Sequence, residues 1–174
     1  MTLWAQKTAT KKLLLWEYPI AVTSKTHAPI QFPHTLRAYY QRRRNDTLGV
    51  FLNGHSLGEW SNHAPTMYCW MKLLWNPDLD VDAVMDVFCK RMFAKAAVPM
   101  REYLRLGCDG FEGKRVHPAF GDGRENIAGM RALLPVHKMK ELREQARQML
   151  HDDPVALQRL EYFTWTFDAF SGGN

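Results

Sequence analysis

Residues 47–75, TLGVFLNGHSLGEWSNHAPTMYCWMKLLW, decide the fold. They predict a short buried strand at 48–52, a loop at 53–62 rich in Gly, His, Glu and Trp, and an amphipathic helix that ends at Trp75. In open α/β sheets and (β/α) barrels, the groups that follow the carboxyl ends of parallel strands converge, and ligands bind there. The loop at 53–62 is therefore the first place to expect chemistry.

A second strand is predicted upstream, in the apolar run LLLWEY at 13–18. Period-two alternation places Glu17 on one face of this strand and Trp16 on the other. A helix at about 34–44 separates the two strands, so the order strand, helix, strand, helix predicts a right-handed parallel crossover. Glu17 then lies at the strand's carboxyl end, where its carboxylate can reach a pocket.

Helices dominate the rest of the sequence. Asp80 and the pair Asp153-Pro154 are start signals, since aspartate caps a helix and proline fits its first turn. Apolar residues at helical spacing predict a core stripe of Met67, Trp70, Met71 and Leu74, and Trp75 is expected to be buried with them. The other helices are predicted at 2–12, 97–106, near 125, 136–150 and 154–170, with a glycine-rich segment at 107–123.

Composition restricts the function classes. The 174 residues are 46% hydrophobic and 24% charged, with 23 Lys and Arg against 18 Asp and Glu, which is ordinary for a soluble globular chain. Basic residues are scattered apart from the run 42–44, which predicts a solvated helix end and no nucleic-acid partner. No run approaches ~18 apolar residues, so no membrane partner is expected, and no signal peptide is recognisable at the N-terminus.

The three cysteines, Cys69, Cys89 and Cys108, are an odd number without CxxC spacing. They predict buried free thiols, with no disulfide framework and no metal site. Asp78, Asp80 and Asp82 mimic the start of a calcium loop, but Ala83 and Cys89 stand where its glycine and bidentate glutamate belong. Helix capping explains these acids better, and no cofactor is predicted.

Two parallel strands cannot form a stable sheet alone, because their edges and apolar faces lack cover. The predicted fold class is therefore α/β: the last two βα units of a TIM-like barrel at 1–75, followed by a mostly helical C-terminal subdomain at 76–174. The missing partner is the remainder of the barrel or a partner chain. The alternative is a complete small α+β protein that pairs its strands in a dimer.

Several segments resemble a bacterial family. They are the run LLLWEY at 13–18, the GVF strand at 49–51 with Gly58-Glu59 after it, residues 72–89 (KLLWNPDLDVDAVMDVFC) and residues 96–103 (AAVPMREY). They are similar to the C-terminal part of a domain of unknown function that occurs in glycan-degrading proteins beside an α-glucuronidase-like domain. Some members form glycoside hydrolase family 163, endo-β-N-acetylglucosaminidases that act on complex N-glycans. The resemblance covers roughly residues 1–110.

This resemblance implies a TIM-like barrel whose seventh and eighth strands are the two found here, and a carbohydrate substrate. Relatives often carry an acidic or glutamine residue after the last strand, where this chain has Leu52-Asn53. Such relatives are commonly exported, so the location of the protein stays open. The implied activity is that of a glycoside hydrolase fragment, inactive alone; the alternative is a non-catalytic helical interaction or scaffold module.

Glycoside hydrolysis needs a proton donor and a second group at the anomeric carbon. Glu17 and Glu59, each at or after a strand end, are the candidate catalytic pair; a buried ion pair explains Glu17 otherwise, and the helix dipole explains Glu59. Candidate substrate-binding residues offer a flat apolar face or hydrogen-bonding groups to a sugar. They are Trp16, His27, Asn53, His55 and Trp60.

Overall fold

A computed structural model describes residues 2–17, 27–52, 57–112 and 123–172; the side chains at 2, 57–60 and 123–126 are not among the parts described. Two strands and a series of helices follow one another along the chain. In order they are α1 (Thr2–Gln6), β1 (Leu13–Glu17), α2 (Pro33–Arg43), β2 (Thr47–Leu52), α3 (Leu57–Trp75), α4 (Val81–Phe93), a 3₁₀ turn (Ala94–Ala96), α5 (Ala97–Phe111), α6 (Gly123–Leu133), α7 (Val136–Met149), α8 (Pro154–Thr164) and α9 (Phe167–Ser171).

The two strands pair in parallel, as predicted, with Trp16 opposite Phe51 and Glu17 opposite Leu52. Leu15 is buried against the helices, whereas Leu14 and Trp16 point away from them and are exposed. The described residues contain no third strand, so the fold is mixed and mostly helical, with one parallel pair. The α/β class is thereby confirmed, whereas a barrel is not visible within these segments.

The hydrophobic core is continuous from β1 to α9. Near the strands it is aromatic: the Trp70 indole donates a hydrogen bond to the Tyr40 hydroxyl at 2.9 Å. Further along, Tyr103 packs edge-on against Phe163 and Phe167, with ring centroids 6.0 and 5.5 Å apart. Residues on both sides of position 75 belong to this core, and the predicted division into 1–75 and 76–174 stays a prediction.

Helix α3 differs from its prediction. It begins at Leu57, inside the predicted loop, and contains Pro65 in its interior. Proline is commonest in a first turn, which is why a start near residue 63 fits the sequence better than the true one. Trp70 is buried as predicted, but Trp75 is 93% exposed and Met71 is also exposed, so these two core assignments are wrong. Leu73 fills the core instead.

Helix α5 continues to Phe111, through part of the predicted glycine-rich segment. A Cβ atom at Gly107 would clash with the Pro29 carbonyl oxygen, and one at Gly110 would clash with Leu134. These glycines therefore serve close packing rather than a turn. The helix predicted at 154–170 is also interrupted, since α8 ends at Thr164 and α9 begins at Phe167.

The predicted helix starts at Asp80 and Asp153 are confirmed. The Asp80 carboxylate accepts hydrogen bonds from the backbone N–H groups of Asp82 and Ala83, and the Asp153 carboxylate accepts one from Ala156. The three cysteines are buried free thiols, as expected. No described helix combines the length and apolar composition needed to cross a membrane.

Candidate functional site

The carboxyl ends of β1 and β2 form one edge of the sheet because the strands are parallel and in register there. At this edge Glu17 is half-buried on the face covered by α2, and the Tyr39 hydroxyl donates a long hydrogen bond of 3.5 Å to its Oε1. Burial raises the pKa of Glu17, and the Tyr39 hydrogen bond partly offsets that rise. Glu17 is thus poised to hold a proton better than an exposed glutamate does.

Trp16 lies on the opposite face of β1. Its ring is largely exposed and contacts Phe51 of β2, with ring centroids 4.7 Å apart and the planes tilted by 58°. An exposed indole offers the apolar surface that a sugar ring needs. Glu17 and Trp16 therefore lie near the same sheet edge but on different faces, as strand alternation predicts.

The other predicted site residues are placed only in part. Asn53 and His55 lie outside the described residues, and Glu59 and Trp60 are described only as backbone in the first turn of α3. His27 is half-buried with a left-handed φ of 54°, and its carbonyl oxygen accepts a hydrogen bond of 3.1 Å from Asn62 Nδ2. The roles of all five in binding or catalysis stay predictions.

A buried polar network holds the described residues just before α2, from His27 to Phe32, against α3. Gln31 Nε2 donates to the Asn62 carbonyl oxygen at 2.7 Å, and Gln31 Oε1 accepts from the Thr66 hydroxyl at 2.6 Å. Asn62 also donates to the Thr166 hydroxyl between α8 and α9. Since buried amides are costly unless satisfied, this network ties α3 near Asn62 and Thr66 to the chain before α2 and to the junction of α8 and α9.

A second polar cluster lies away from the strand ends, between α2, α4 and α5. His34 Nδ1 lies 2.6 Å from Glu112 Oε2, and His34 Nε2 lies 3.4 Å from Asp82 Oδ1. Arg101 binds Asp82 Oδ1 at 2.6 Å and Asp86 at 2.8 Å. His34, Asp82, Arg101 and Glu112 line a cavity of about 300 Å³.

Cys108 belongs to the same cluster. One donor atom each from His34, Cys108 and Glu112 lie within 4.8 Å of one another, so these three residues are the group that could hold a metal ion among those described. Burial, with a smaller contribution from the nearby Glu112 charge, raises the pKa of the Cys108 thiol to about 12. Without a metal, the thiol is therefore neutral.

Comparison with known proteins identifies a family. The sequence model described as "Domain of unknown function (DUF4838)" matches residues 2–105, more than half of the chain. The chain belongs to this family. No curated protein and no solved structure matches it.

The DUF4838 match spans the strand pair, α2 to α4 and most of α5. It therefore includes Glu17 and Trp16 at the sheet edge, together with His34 and Arg101 of the second cluster. Cys108 and Glu112 lie just beyond the matched residues. The sheet-edge site is thus within the DUF4838 part of the chain, and the second cluster is partly so.

Sequence reasoning missed the cluster around His34. One signal was present: Cys108 and Glu112 are four residues apart, a spacing that puts both on one helix face. That signal was hidden because the helix was predicted to end at 106. His34 comes from a different helix, and no local pattern shows that α2 lies against α5.

Proposed function

We propose that the chain is a portion of a carbohydrate-active enzyme that resembles glycoside hydrolase family 163, and that its strand pair completes a larger (β/α) barrel. The observation that carries this proposal is the uncovered sheet face. Three apolar side chains there are exposed: Leu14 (70%), Trp16 (62%) and Phe51 (49%), with Trp16 paired opposite Phe51. Parallel strands are normally apolar on both faces, and both faces are normally covered. The uncovered face of this strand pair therefore fits the inward face of a larger barrel.

Membership in DUF4838 is compatible with this function. In a barrel, the face opposite the helices points inward, and the active site lies at the carboxyl ends of the strands. Trp16 lies on the face opposite the helices, which in such a barrel would suit an indole that stacks on a sugar ring. Glu17, the next residue toward the carboxyl end of β1, lies on the helix-covered face, where its raised pKa suits a proton donor or a group that positions one.

The enzyme hypothesis is tested on the polypeptide encoded by the complete reading frame. We expect it to release N-acetylglucosamine-containing glycans from a complex N-glycoprotein, whereas residues 1–174 alone do not. Glu17→Gln and Glu59→Gln should each lower the rate about 100-fold or more if these residues transfer a proton. The matched control is Glu141→Gln, an exposed glutamate paired with Lys138, which should leave the rate unchanged.

Full activity in both glutamine variants would remove Glu17 and Glu59 as catalytic residues. A complete reading frame that encodes additional βα units but shows no release of any glycan would contradict the enzyme assignment itself.

A helical interaction module is the second candidate. It is favoured by the helical part of the core, where Tyr103 of α5 packs against Phe163 of α8 and Phe167 of α9. In that case the exposed strand face is a docking surface for a protein partner, and the complete reading frame encodes no further βα unit. The two candidates therefore differ in a feature that the gene sequence alone reveals.

A further inference from the structure

We propose that His34, Cys108 and Glu112 form a binding site for a single Zn²⁺ ion, with the fourth coordination position open to water or a small ligand. Imidazole nitrogen, thiolate sulfur and carboxylate oxygen are the three donor types that Zn²⁺ takes in proteins. The three side chains converge although they come from two helices distant in sequence. This site is independent of the proposed glycan chemistry.

The backbone brings the donors together by two features. Cys108 and Glu112 are one helical turn apart at the C-terminal end of α5, so both face the start of α2. The backbone N–H of Gln31 donates to the Gly107 carbonyl oxygen at 3.3 Å, which ties the chain just before α2 to α5 beside Cys108. The absence of a side chain at Gly107 permits this close approach.

The donor spacing fits one ion after small adjustments. Tetrahedral Zn²⁺ with its usual bond lengths needs donor atoms about 3.3–3.6 Å apart. The contact between His34 and Glu112 at 2.6 Å would lengthen, and the widest separation, within 4.8 Å, would shorten. His34 is on the surface and can change its side-chain torsions, and the adjoining cavity leaves room for the fourth ligand.

Neighbouring groups orient the donors through hydrogen bonds, as the partners of metal ligands do in metalloproteins. The Thr35 backbone N–H donates to Glu112 Oε1 at 2.8 Å, which leaves Oε2 toward His34. Asp82 lies 3.4 Å from His34 Nε2 and accepts from Arg101, so it can hold the imidazole with Nδ1 facing the ion. A carboxylate on the far nitrogen of a histidine is the common partner of a zinc ligand.

Coordination of Zn²⁺ balances through loss of one proton. The ion displaces the thiol proton of Cys108, which is released to buffer, and the bound His34 is a neutral imidazole that carries its one ring proton on Nε2, facing Asp82. The guanidinium of Arg101 is held by Asp82 and Asp86, which limits its repulsion of the cation.

Metal titration of the full 174-residue chain tests the proposal. After treatment with a chelator, the protein is titrated with Zn²⁺ against a chromophoric competitor, and separately with Co²⁺ to detect a thiolate-to-cobalt charge-transfer band. We expect one equivalent to bind and the thiolate band to appear. His34→Gln, Cys108→Ala and Glu112→Gln should each weaken binding at least about tenfold, and Asp82→Asn should weaken it by about tenfold.

Two matched controls separate this site from non-specific binding. Cys89→Ala removes another buried thiol, and His137→Gln removes a surface imidazole; both should bind Zn²⁺ as the wild type does. His34→Gln alters a surface side chain, so it remains informative if Cys108→Ala fails to fold. Absence of the thiolate band in the wild type, or Zn²⁺ affinity in His34→Gln within twofold of the wild type, would overturn the proposal.

Discussion

His63 shows how burial alone sets the behaviour of one residue. Its side chain in α3 is fully buried, and burial lowers the pKa of the imidazole from its ordinary 6.5 to about 3. The folded protein therefore keeps His63 neutral, while the unfolded chain binds a proton below pH 6.5. Folding stability attributable to this residue is complete above pH 6.5 and is lost as the pH falls toward 3.

We predict that, because His63 takes up a proton only in the unfolded chain, the free energy of unfolding of the wild type falls by an amount on the order of 2 kcal/mol from pH 7 to pH 5. The variant His63→Gln is less stable at pH 7 because the core is disturbed, but its stability declines less over this pH interval. Urea unfolding at the two pH values measures the difference. His137→Gln is the control, since His137 is 91% exposed, and its decline should equal that of the wild type.

The pH dependence of stability expected from Glu17 has the opposite sign to that expected from His63. Its pKa is raised by burial, so the folded state favours the protonated form and stability from this group is lost as the pH rises through the folded pKa. Glu17→Gln, which mimics the protonated form, should be slightly more stable than the wild type at pH 7 and no more stable at pH 4. Thermal unfolding at both pH values measures this; lower stability of the variant at pH 7 would contradict it.

Single residues were predictable where a local period governs them. Alternation along β1 correctly separates Glu17 from Trp16, and the cap at Asp80 is a purely local interaction. Gln31 and His34 gave no such signal, because their importance arises from contacts with residues more than 30 positions away. Contacts between residues that are distant in the sequence were therefore not predictable for single residues.

The helices are held together by close approaches at glycines as well as by apolar side chains. Gly107 of α5 lies against the Pro29 carbonyl oxygen, where the segment before α2 crosses the helix. Gly129 of α6 is its opposite, since a Cβ atom there would meet nothing within 4 Å. The two positions share a helical backbone and differ in their surroundings.

This pair gives a matched prediction at the scale of an element. Gly107→Ala should destabilise the fold by about 1–3 kcal/mol, because the segment before α2 must move away. Gly129→Ala should stabilise it by up to about 1 kcal/mol, because alanine is the better helix former. Denaturant unfolding measures both, and equal effects of the same sign would contradict the account of Gly107.

Elements with strong end signals were predicted closely, and those without were not. Asp153 and Pro154 place the start of α8 correctly, and the predicted end of α3 at Trp75 is also correct. The start of α3 was missed because Pro65 imitates a first turn. The end of α5 was missed because Gly107 and Gly110 imitate a turn while serving packing contacts that only the fold supplies.

At the scale of the whole molecule, the exposed face of β1 and β2 is the dominant unsatisfied feature. Exposed apolar strand faces and free strand edges promote association between chains. We predict that residues 1–174 alone self-associate with rising concentration, and that Trp16→Thr with Phe51→Thr reduces this association. Sedimentation velocity measures it. Trp75→Thr is the control, because Trp75 is exposed but lies at the end of α3, away from the strands.

The parallel strand pair could be predicted from the sequence, because the strands are two short apolar runs with a helical pattern between them. The helical remainder could be predicted from its helical spacing of apolar residues. The continuity of the core from Leu15 to Phe170 could not, because it depends on how helices pack across the chain. What covers the exposed sheet face is likewise beyond local pattern, because the described residues contain no third strand.

Amide hydrogen exchange of β1 and β2 tests most directly whether further strands complete this sheet. It is measured on residues 1–174 alone and on the polypeptide from the complete reading frame, with amides of α5 as an internal reference. We predict that the strand amides from Leu14 to Glu17 and from Leu48 to Leu52 exchange at least about tenfold more slowly in the longer protein, while those of α5 change little. Equal exchange of the strand amides in both proteins would contradict a completed barrel.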